Sequence, residues 1–355
     1  MKRRAWGLLV FNAVVMVALA VICSISLGIP LRDPDGFLGP SWLRLPLLVG
    51  GAFLVDVIPR TLWRSRFRPV EFKRQAQLIV REHWTWDRIK LVAIGLVSFY
   101  AVYVCYRNLK NMLPFIRSEN GKPVTYDNTL HSLDQWLLFG HDPSVILHDV
   151  LGTGPSAYVL SWVYLAFLPM VPVVVIAWVV WSRNVSFGYW FVTADCLAWT
   201  LGTLSYYLVP TLGPNFAFPF LYNDLPDTGT RDLANSLFDG RAASRFNPLF
   251  EGVQSVAGFA SLHVGITLTV ALVAQYTVRS RLIKTVLWVY FVLVVLSTTY
   301  FGWHYIADDI AGAAIAIVSV YLGALATGQK FDRRGRSSHP TTTTSAVPVE
   351  ERAEA

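Results

Sequence analysis

The feature that most restricts this chain is a succession of apolar runs, each close to the 17–25 residues that a helix needs to cross a bilayer. Eight such runs read as helices, at residues 6–29, 42–58, 90–107, 156–181, 187–209, 262–278, 283–301 and 305–326. The chain is 54% hydrophobic and 15% charged, whereas soluble domains carry about a quarter charged residues. A water-soluble fold of 355 residues would have to hide several wholly apolar helices at once. The expected fold class is therefore all-α, a polytopic membrane bundle of about eight transmembrane helices. Lys2, Arg3 and Arg4 ahead of the first run resemble the start of a signal peptide. Unbroken hydrophobicity to Ile29 without a small-residue cleavage site favours a retained helix.

Basic residues set the expected orientation, because they concentrate in cytoplasmic loops. With eight spans, 21 of the 30 Lys and Arg residues fall on one side. They include Lys2–Arg4, the segment 59–90, Arg183, Arg279, Arg281, Lys284 and the tail from Lys330. Both termini are then cytoplasmic, in a plasma-membrane protein. The formal charge of +7 is accounted for by anionic headgroups, and no nucleic-acid partner is implied. Segment 59–89 interleaves Trp63, Phe67, Phe72, Trp84 and Trp86 with arginines, which suits the interface plane. Cys23, Cys105 and Cys196 lie in apolar runs without Cys-x-x-Cys spacing and read as buried apolar side chains.

Two long segments remain for the non-cytoplasmic side, 108–155 and 210–261. The first contains turn-like Asn120–Pro123 and Gly152–Pro155, with a short amphipathic helix over Leu130–Phe139. The second carries Pro210, Pro214, Pro219, Pro226 and Pro248 and is too polar to cross. The tail from Arg333 cannot build a core and reads as disordered. The expected organisation is 1–106, membrane helices with a basic interfacial loop; 107–328, a catalytic membrane domain; and 329–355, a cytoplasmic tail.

The chemistry concentrates in Gly258–Gly265 (GFASLHVG) and Ser297–Gly312 (STTYFGWHYIADDIAG). His304 and Asp308 are four apart, one helical turn, so the carboxylate can fix the imidazole tautomer. His263 starts the sixth run at the same membrane surface, although the orientation came from the basic residues and the cluster from the histidines. Two imidazoles and a carboxylate at a polar edge suit nucleophilic catalysis on phosphorus. One imidazole attacks, the other moves the proton, and the N-termini of the sixth and eighth helices offer amides to the phosphate. Asp309 is an alternative partner for His304. His and Asp are also metal ligands, but no His-Glu-x-x-His is present, and the chemistry as read requires neither metal nor cofactor. Trp303, His304 and Tyr305 together also fit a plain aromatic belt.

These two motifs resemble the second and third motifs of the type 2 phosphatidic acid phosphatase superfamily, roughly Pro-Ser-Gly-His and Ser-Arg, five residues, His, three residues, Asp. The counterparts are Ala260-Ser261-Leu262-His263, and Ser297-Thr298 followed by His304 and Asp308. The resemblance implies that His304 is the nucleophile, Asp308 its orienting partner and His263 the general acid. Leu262 replaces a glycine and Thr298 the phosphate-binding arginine, and no match to the first motif (Lys, six residues, Arg-Pro) is found on the right side. Ser-Leu-His and His-Tyr-x-x-Asp resemble the inositol phosphorylceramide synthase branch, and more distantly sphingomyelin synthases. So do Tyr206–Pro214 and Asn128–Pro143.

That branch implies transfer of a phosphoryl headgroup, such as inositol phosphate, from a phospholipid to a lipid or sugar alcohol through a phosphohistidine. The nearest alternative is a lipid or polyprenyl phosphate phosphatase. Without the motif arginine, the phosphate charge needs other partners: Arg241 and Arg245, or Arg107 and Lys110. Ser261, Tyr207, Asn215 and Tyr305 are the further expected substrate-binding residues. A transporter, with Asp56 and Asp195 as intramembrane acids, is the reading from another class. Oligomeric state is not legible.

Overall fold

A computed structural model describes residues 5–33, 41–119, 122–182, 184–246, 258–331 and 337–338. It is all-helical apart from two antiparallel pairs of two-residue strands. The first half holds α1 (Gly7–Leu27), α2 (Ser41–Arg64), α3 (Pro69–His83), α4 (Trp86–Ile116), α5 (Asp127–Leu137), α6 (Pro143–Leu151), α7 (Pro155–Leu165) and α8 (Phe167–Trp181). After α9 (Val185–Leu208) and the four-residue α10 (Pro214–Ala217), a 3₁₀ turn (Pro219–Tyr222) leads to α11 (Gly229–Phe246). The chain ends in α12 (Leu262–Thr277), α13 (Arg281–Tyr300) and α14 (Ile306–Thr327).

Each of the eight expected runs falls on a helix or, for 156–181, on the pair α7 and α8. Five of them are long and apolar enough to cross a membrane: α1, α4, α7 with α8, α13 and α14. This is a multi-pass membrane protein. The α7–α8 break at Ala166 precedes Pro169 and Pro172, which withdraw amide donors from the helical ladder. Helix starts follow local chemistry. Thr85, Asn184, Ser261 and Ser280 each accept an amide hydrogen bond at the head of α4, α9, α12 and α13, satisfying a donor that the helix itself leaves open.

Helix α9 is the axis of the bundle. It is buried almost throughout, from Val185 to Tyr206, against α1, α4, α8, α12 and α14. That position explains why the hydropathy that marks α13 and α14 is weaker in α9: a helix facing protein on all sides can carry Thr193, Asp195, Thr200 and Thr203. Thr200 and Thr203 donate to the carbonyls of Cys196 and Trp199 at 2.9 and 2.7 Å. Asn12 of α1 donates to the Cys196 carbonyl at 3.1 Å, and Trp190 to the Val320 carbonyl at 2.9 Å. Cys105 and Cys196 are buried in this core. The outer face, by contrast, exposes Leu282, Ile283, Val286, Val289 and Val292 of α13 with Ile310 and Ile317 of α14, the apolar surface a bilayer covers.

The two ends of the bundle differ. At one end α2, α3 and the start of α4 form a basic layer around Asp56. This carboxylate pairs with Arg60 at 2.8 Å and accepts from Trp84 Nε1 at 2.9 Å, so it is tied locally. At the other end α5, α6, α10, the 3₁₀ turn and α11 gather over the head of α12 and the α13–α14 turn. A second apolar cluster fixes them there, with Leu160, Tyr164, Tyr222, Leu225, Tyr300, Phe301 and Trp303. The expected short helix in 130–139 is α5, which starts three residues earlier. The tail from Arg333, and Asn120 and Gly121 of the expected turn, lie outside the described residues, apart from Ser337 and Ser338.

Candidate active site

The site is assembled by two helix heads and one turn. Ser261 caps α12, with its side chain accepting the Val264 amide at 3.4 Å, and this places His263 in the first turn. Tyr305 precedes α14, and the Asp308 carboxylate accepts the Tyr305 amide at 3.0 Å. That bond turns Asp308 back toward the preceding residue, where its Oδ2 lies 3.3 Å from His304 Nδ1. His304 is 4% exposed and Asp308 fully buried. With Nδ1 held by a carboxylate, Nε2 is the nitrogen left with a free lone pair.

The ring centroids of His263 and His304 lie 6.3 Å apart, with the ring planes inclined by 54°. Tyr164 stacks on His263 at 4.4 Å and on Trp303 at 5.0 Å, and Phe167 packs on His263 at 4.2 Å. The His263 ring is thus fixed by packing, and the His304 ring by its Asp308 contact. Burial, and secondly the Lys110 ammonium, lower the His304 pKa from 6.5 to about 3, so this imidazole is neutral at physiological pH.

Asp309 does not compete for His304. It accepts from Thr298 and Thr299 hydroxyls at 3.3 and 3.4 Å, inside the α13–α14 contact. Thr298, at the position of the superfamily's arginine, is therefore committed to Asp309 and to the Val295 carbonyl. The expectation that the head of the last helix offers free amides needs correction. The Tyr305 amide is taken by Asp308, and the Ile306 amide by Asp134 of α5 at 3.2 Å. At the head of α12, no hydrogen bond is made by the amides of Leu262 or His263 among the described residues.

Helix α5 supplies the residues that sequence reasoning missed. Asp127, Leu130 and Asp134 share its buried face. Asp127 accepts the amides of Leu212 and Gly213 at 2.9 and 3.0 Å and the Tyr305 hydroxyl at 3.0 Å. It joins the 210–214 stretch to the His304 turn. Asp134 holds Ile306, and its second oxygen is buried without a hydrogen bond among the described residues. Burial raises the Asp134 pKa to about 7, with nearby Asp308 and Asp142 adding to the effect against the Ile306 amide. The available signal was the spacing itself: two acids and a leucine at i, i+3 and i+7 occupy the face that an amphipathic helix buries.

Lys110 is the cation nearest in effect to both imidazoles, and its ammonium also lies over the rings of Tyr106 and Tyr206. It stands in α4, which runs nine residues beyond the expected end of the third helix. Lys110 and Arg117 have six residues between them, followed by Ser118. The first motif is therefore matched in spacing at the correct end of the bundle, with serine for proline.

The remaining expected residues divide. Tyr305 shares Asp308 with His304 through its amide, and its hydroxyl donates to Asp127. Asn215 donates its amide to the Gly302 carbonyl at 2.8 Å, and its side chain lines a neighbouring cavity. Gly302 is required there: φ is +63°, and a Cβ would fall 2.2 Å from the Tyr222 ring. Tyr207 points elsewhere, donating to the Leu109 carbonyl at 2.6 Å. Arg241 and Arg245 belong to the backbone of α11, and their side chains lie outside the described part of the structure. Among the described residues no group of three or more His, Cys, Asp or Glu is arranged to hold a metal ion.

A buried His–Asp pair beside a second histidine at a helix head is an arrangement consistent with phosphatase and phosphotransferase chemistry. Comparison with curated proteins and with solved structures finds no match. The profile of the PAP2 superfamily matches residues 128–322, more than half of the chain and the stretch that carries α5 except its first residue, both histidine motifs and Asp308. By that match and this geometry the chain belongs to the PAP2 superfamily, the type 2 phosphatidic acid phosphatases and their relatives.

Proposed function

We propose that the protein is a membrane phosphotransferase moving a phosphoryl headgroup from a phospholipid to an alcohol, with residues 107–328 as the catalytic unit. The observation that carries the reading is the pair of neighbouring imidazoles with Asp308 behind one of them. His304 Nε2 attacks phosphorus. The N–P bond forms as the bond to the lipid oxygen breaks, and that oxygen takes a proton from His263. In the second half, the incoming hydroxyl gives its proton to His263 and attacks phosphorus, and the N–P bond breaks. The phosphate's negative charge favours the protonated His263 that the first step needs.

Asp308 is a positioning residue: it holds His304 in the tautomer with Nε2 free and stabilises charge on the ring as phosphorus is bound. Lys110 and the amides of Leu262 and His263 are the phosphate partners that replace the missing motif arginine. Ser261 acts by holding the head of α12, and Tyr305 by bracing the His304 turn. The site opens on the non-cytoplasmic face of the plasma membrane, with both termini cytoplasmic. Inositol phosphate is the headgroup favoured by resemblance.

Near-complete burial of His304 supports transfer over hydrolysis, since water has little access to a phosphohistidine there. One observation favours a phosphatase: a space of about 10 Å³ beside His304, Asp134 and Tyr305 is close to the minimum for one water. The deciding experiment places the protein in vesicles with headgroup-labelled phosphatidylinositol and a panel of lipid and sugar alcohols, with His304→Ala as control. Label on an acceptor, absent in the variant, is the expected result. Free inositol phosphate means hydrolysis, and turnover that survives His304→Ala refutes the histidine chemistry.

A further inference from the structure

Beside the histidine site lies a second cavity of about 270 Å³, walled by the 3₁₀ turn, α10, the start of α11 and Phe301. Tyr222 is common to this cavity and to the small space at His304, so the two share one wall residue. The volume is near the lower end of the roughly 300–1,000 Å³ found for small-molecule sites. It accommodates one ring, not an acyl chain.

The lining specifies the chemistry. Asn215, Asn223 and Asn235 present carboxamides that make no hydrogen bond among the described residues, and each offers donors and an acceptor together. Neighbouring hydroxyls on a ring have that same double character. Phe216 and Phe238 supply parallel aromatic faces, 6.4 Å between centroids with planes 10° apart, the kind of flat apolar surface on which C–H groups of a ring rest. Arg231 is the cation of the lining, and it is already engaged by the Leu225 carbonyl and near Asp227. A phosphate would call for more charge, and a hydrocarbon chain would waste the amides.

We infer that the cavity bounded by Asn215, Asn223, Asn235, Phe216 and Phe238 binds an uncharged, hydroxyl-rich ring, a cyclic polyol or a sugar, and presents it past Tyr222 to the phosphorus at His304. The inference rests on the phosphotransfer reading for its purpose, and on the cavity alone for its existence. The ring arrives either as the donor's headgroup or as the acceptor alcohol. In both cases one of its oxygens forms or breaks the bond to phosphorus, while the others are held by the amides.

Binding is measured first, without catalysis, by saturation-transfer NMR on full-length His304→Ala in nanodiscs. The probes are myo-inositol, methyl glucoside and methyl mannoside, with n-butanol as control. At least one ring is expected to bind, and the butanol not. Asn235→Leu and Phe238→Ala, both at exposed positions of α11, are expected to weaken that binding about tenfold, the effect of one lost hydrogen bond or stacking contact. No ring binding, or binding unchanged in both variants, overturns the inference. Because chemistry is absent from this measurement, failure of the histidine mechanism leaves its result untouched.

A second arm identifies the source. The bound ring is added in excess to wild-type protein turning over headgroup-labelled lipid. Phosphate transferred onto the added ring marks an acceptor site, and slowed turnover marks a donor-headgroup site. Turnover indifferent to a saturating ring overturns the placement of the cavity in the reaction.

Discussion

The spacing of the two histidines depends on a backbone contact between α12 and α14, and this contact can be altered by one methyl group. Gly312 lies against the head of α12: a Cβ there would meet the Ser261 carbonyl oxygen at 2.3 Å, whereas side chains essentially never approach closer than 3.0 Å. Both partners are main chain, so no rotamer change relieves the clash. In Gly312→Ala, the helices must move apart by roughly 0.7 Å. Ser261 is the cap that places His263, and its amide donates to the Asp308 carbonyl at 2.9 Å, so the displacement falls directly on the distance between the imidazoles. A misplacement of about 1 Å costs on the order of 10²-fold in rate, about 2.7 kcal/mol of barrier. Gly265→Ala is a graded comparison, because its Cβ would sit 3.2 Å from the Gly312 carbonyl and needs only a few tenths of an ångström. Turnover of a labelled lipid is the assay, with thermal unfolding in nanodiscs as a check that the bundle is intact. The expected order is wild type, Gly265→Ala, then Gly312→Ala near 1% of wild type. Gly312→Ala that folds and retains half of its activity would refute the claim that this contact sets the catalytic distance.

Four further outcomes are expected. Asp308→Asn keeps the shape of the site but loses the charge behind His304, and kcat should fall about 10²–10⁴-fold with binding of the lipid little changed. Lys110→Met should lower kcat/KM at least tenfold, and Lys110→Arg should restore part of it, in a salt titration of initial rates. Asp127→Ala leaves two amides and the Tyr305 hydroxyl without their acceptor, so the melting transition in nanodiscs should drop by about 1.5–3 kcal/mol equivalent.

The last concerns pH. With its folded pKa near 3, His304 stays neutral while the unfolded chain takes up a proton below about 6.5. Stability from this group is therefore complete above pH 6.5 and lost as pH falls toward 3. Asp134, raised to about 7, acts in the opposite sense: its contribution is complete below pH 4 and is lost as pH rises through 7. Removing that second effect in Asp134→Asn should make stability climb more steeply with pH between 4 and 7, by up to about 1.4 kcal/mol per unit. Parallel pH profiles for the two proteins would refute the assignment.

The membrane bundle was legible because bilayer length is written directly into apolar runs, and all eight expected positions hold helices. Five carry the hydropathy of a span. In α9 the signal fades for a physical reason, since protein and not lipid surrounds it. The pairing of His304 with Asp308 was also legible, being fixed by one turn of one helix. What lay beyond local spacing was the partnership across distant segments. Nothing in residues 127–134 announces that their acids hold Leu212, Gly213, Tyr305 and Ile306, because hydrogen bonds over more than 80 positions leave no periodic trace. Lys110 was legible as a candidate partner for phosphate, but not its place in the helix: the expected helix stopped at residue 107, whereas α4 runs to Ile116. Tyr207 erred the other way, as a polar group near the motif that satisfies a backbone carbonyl on α4.

The α5 carboxylates have a consequence for how the protein tolerates its solvent. Long spans answer a thicker or thinner bilayer by tilting, which would drag a reacting turn with them if it hung from the spans alone. Here the turn after α13 is also pinned, through Asp127 and Asp134, to a short helix that is not itself one of the spans. The bilayer can change thickness while that helix acts as a fixed template for Tyr305 and Ile306. Turnover should therefore vary little across lipids of different chain length, and it should become thickness-sensitive once Asp127 and Asp134 are both replaced.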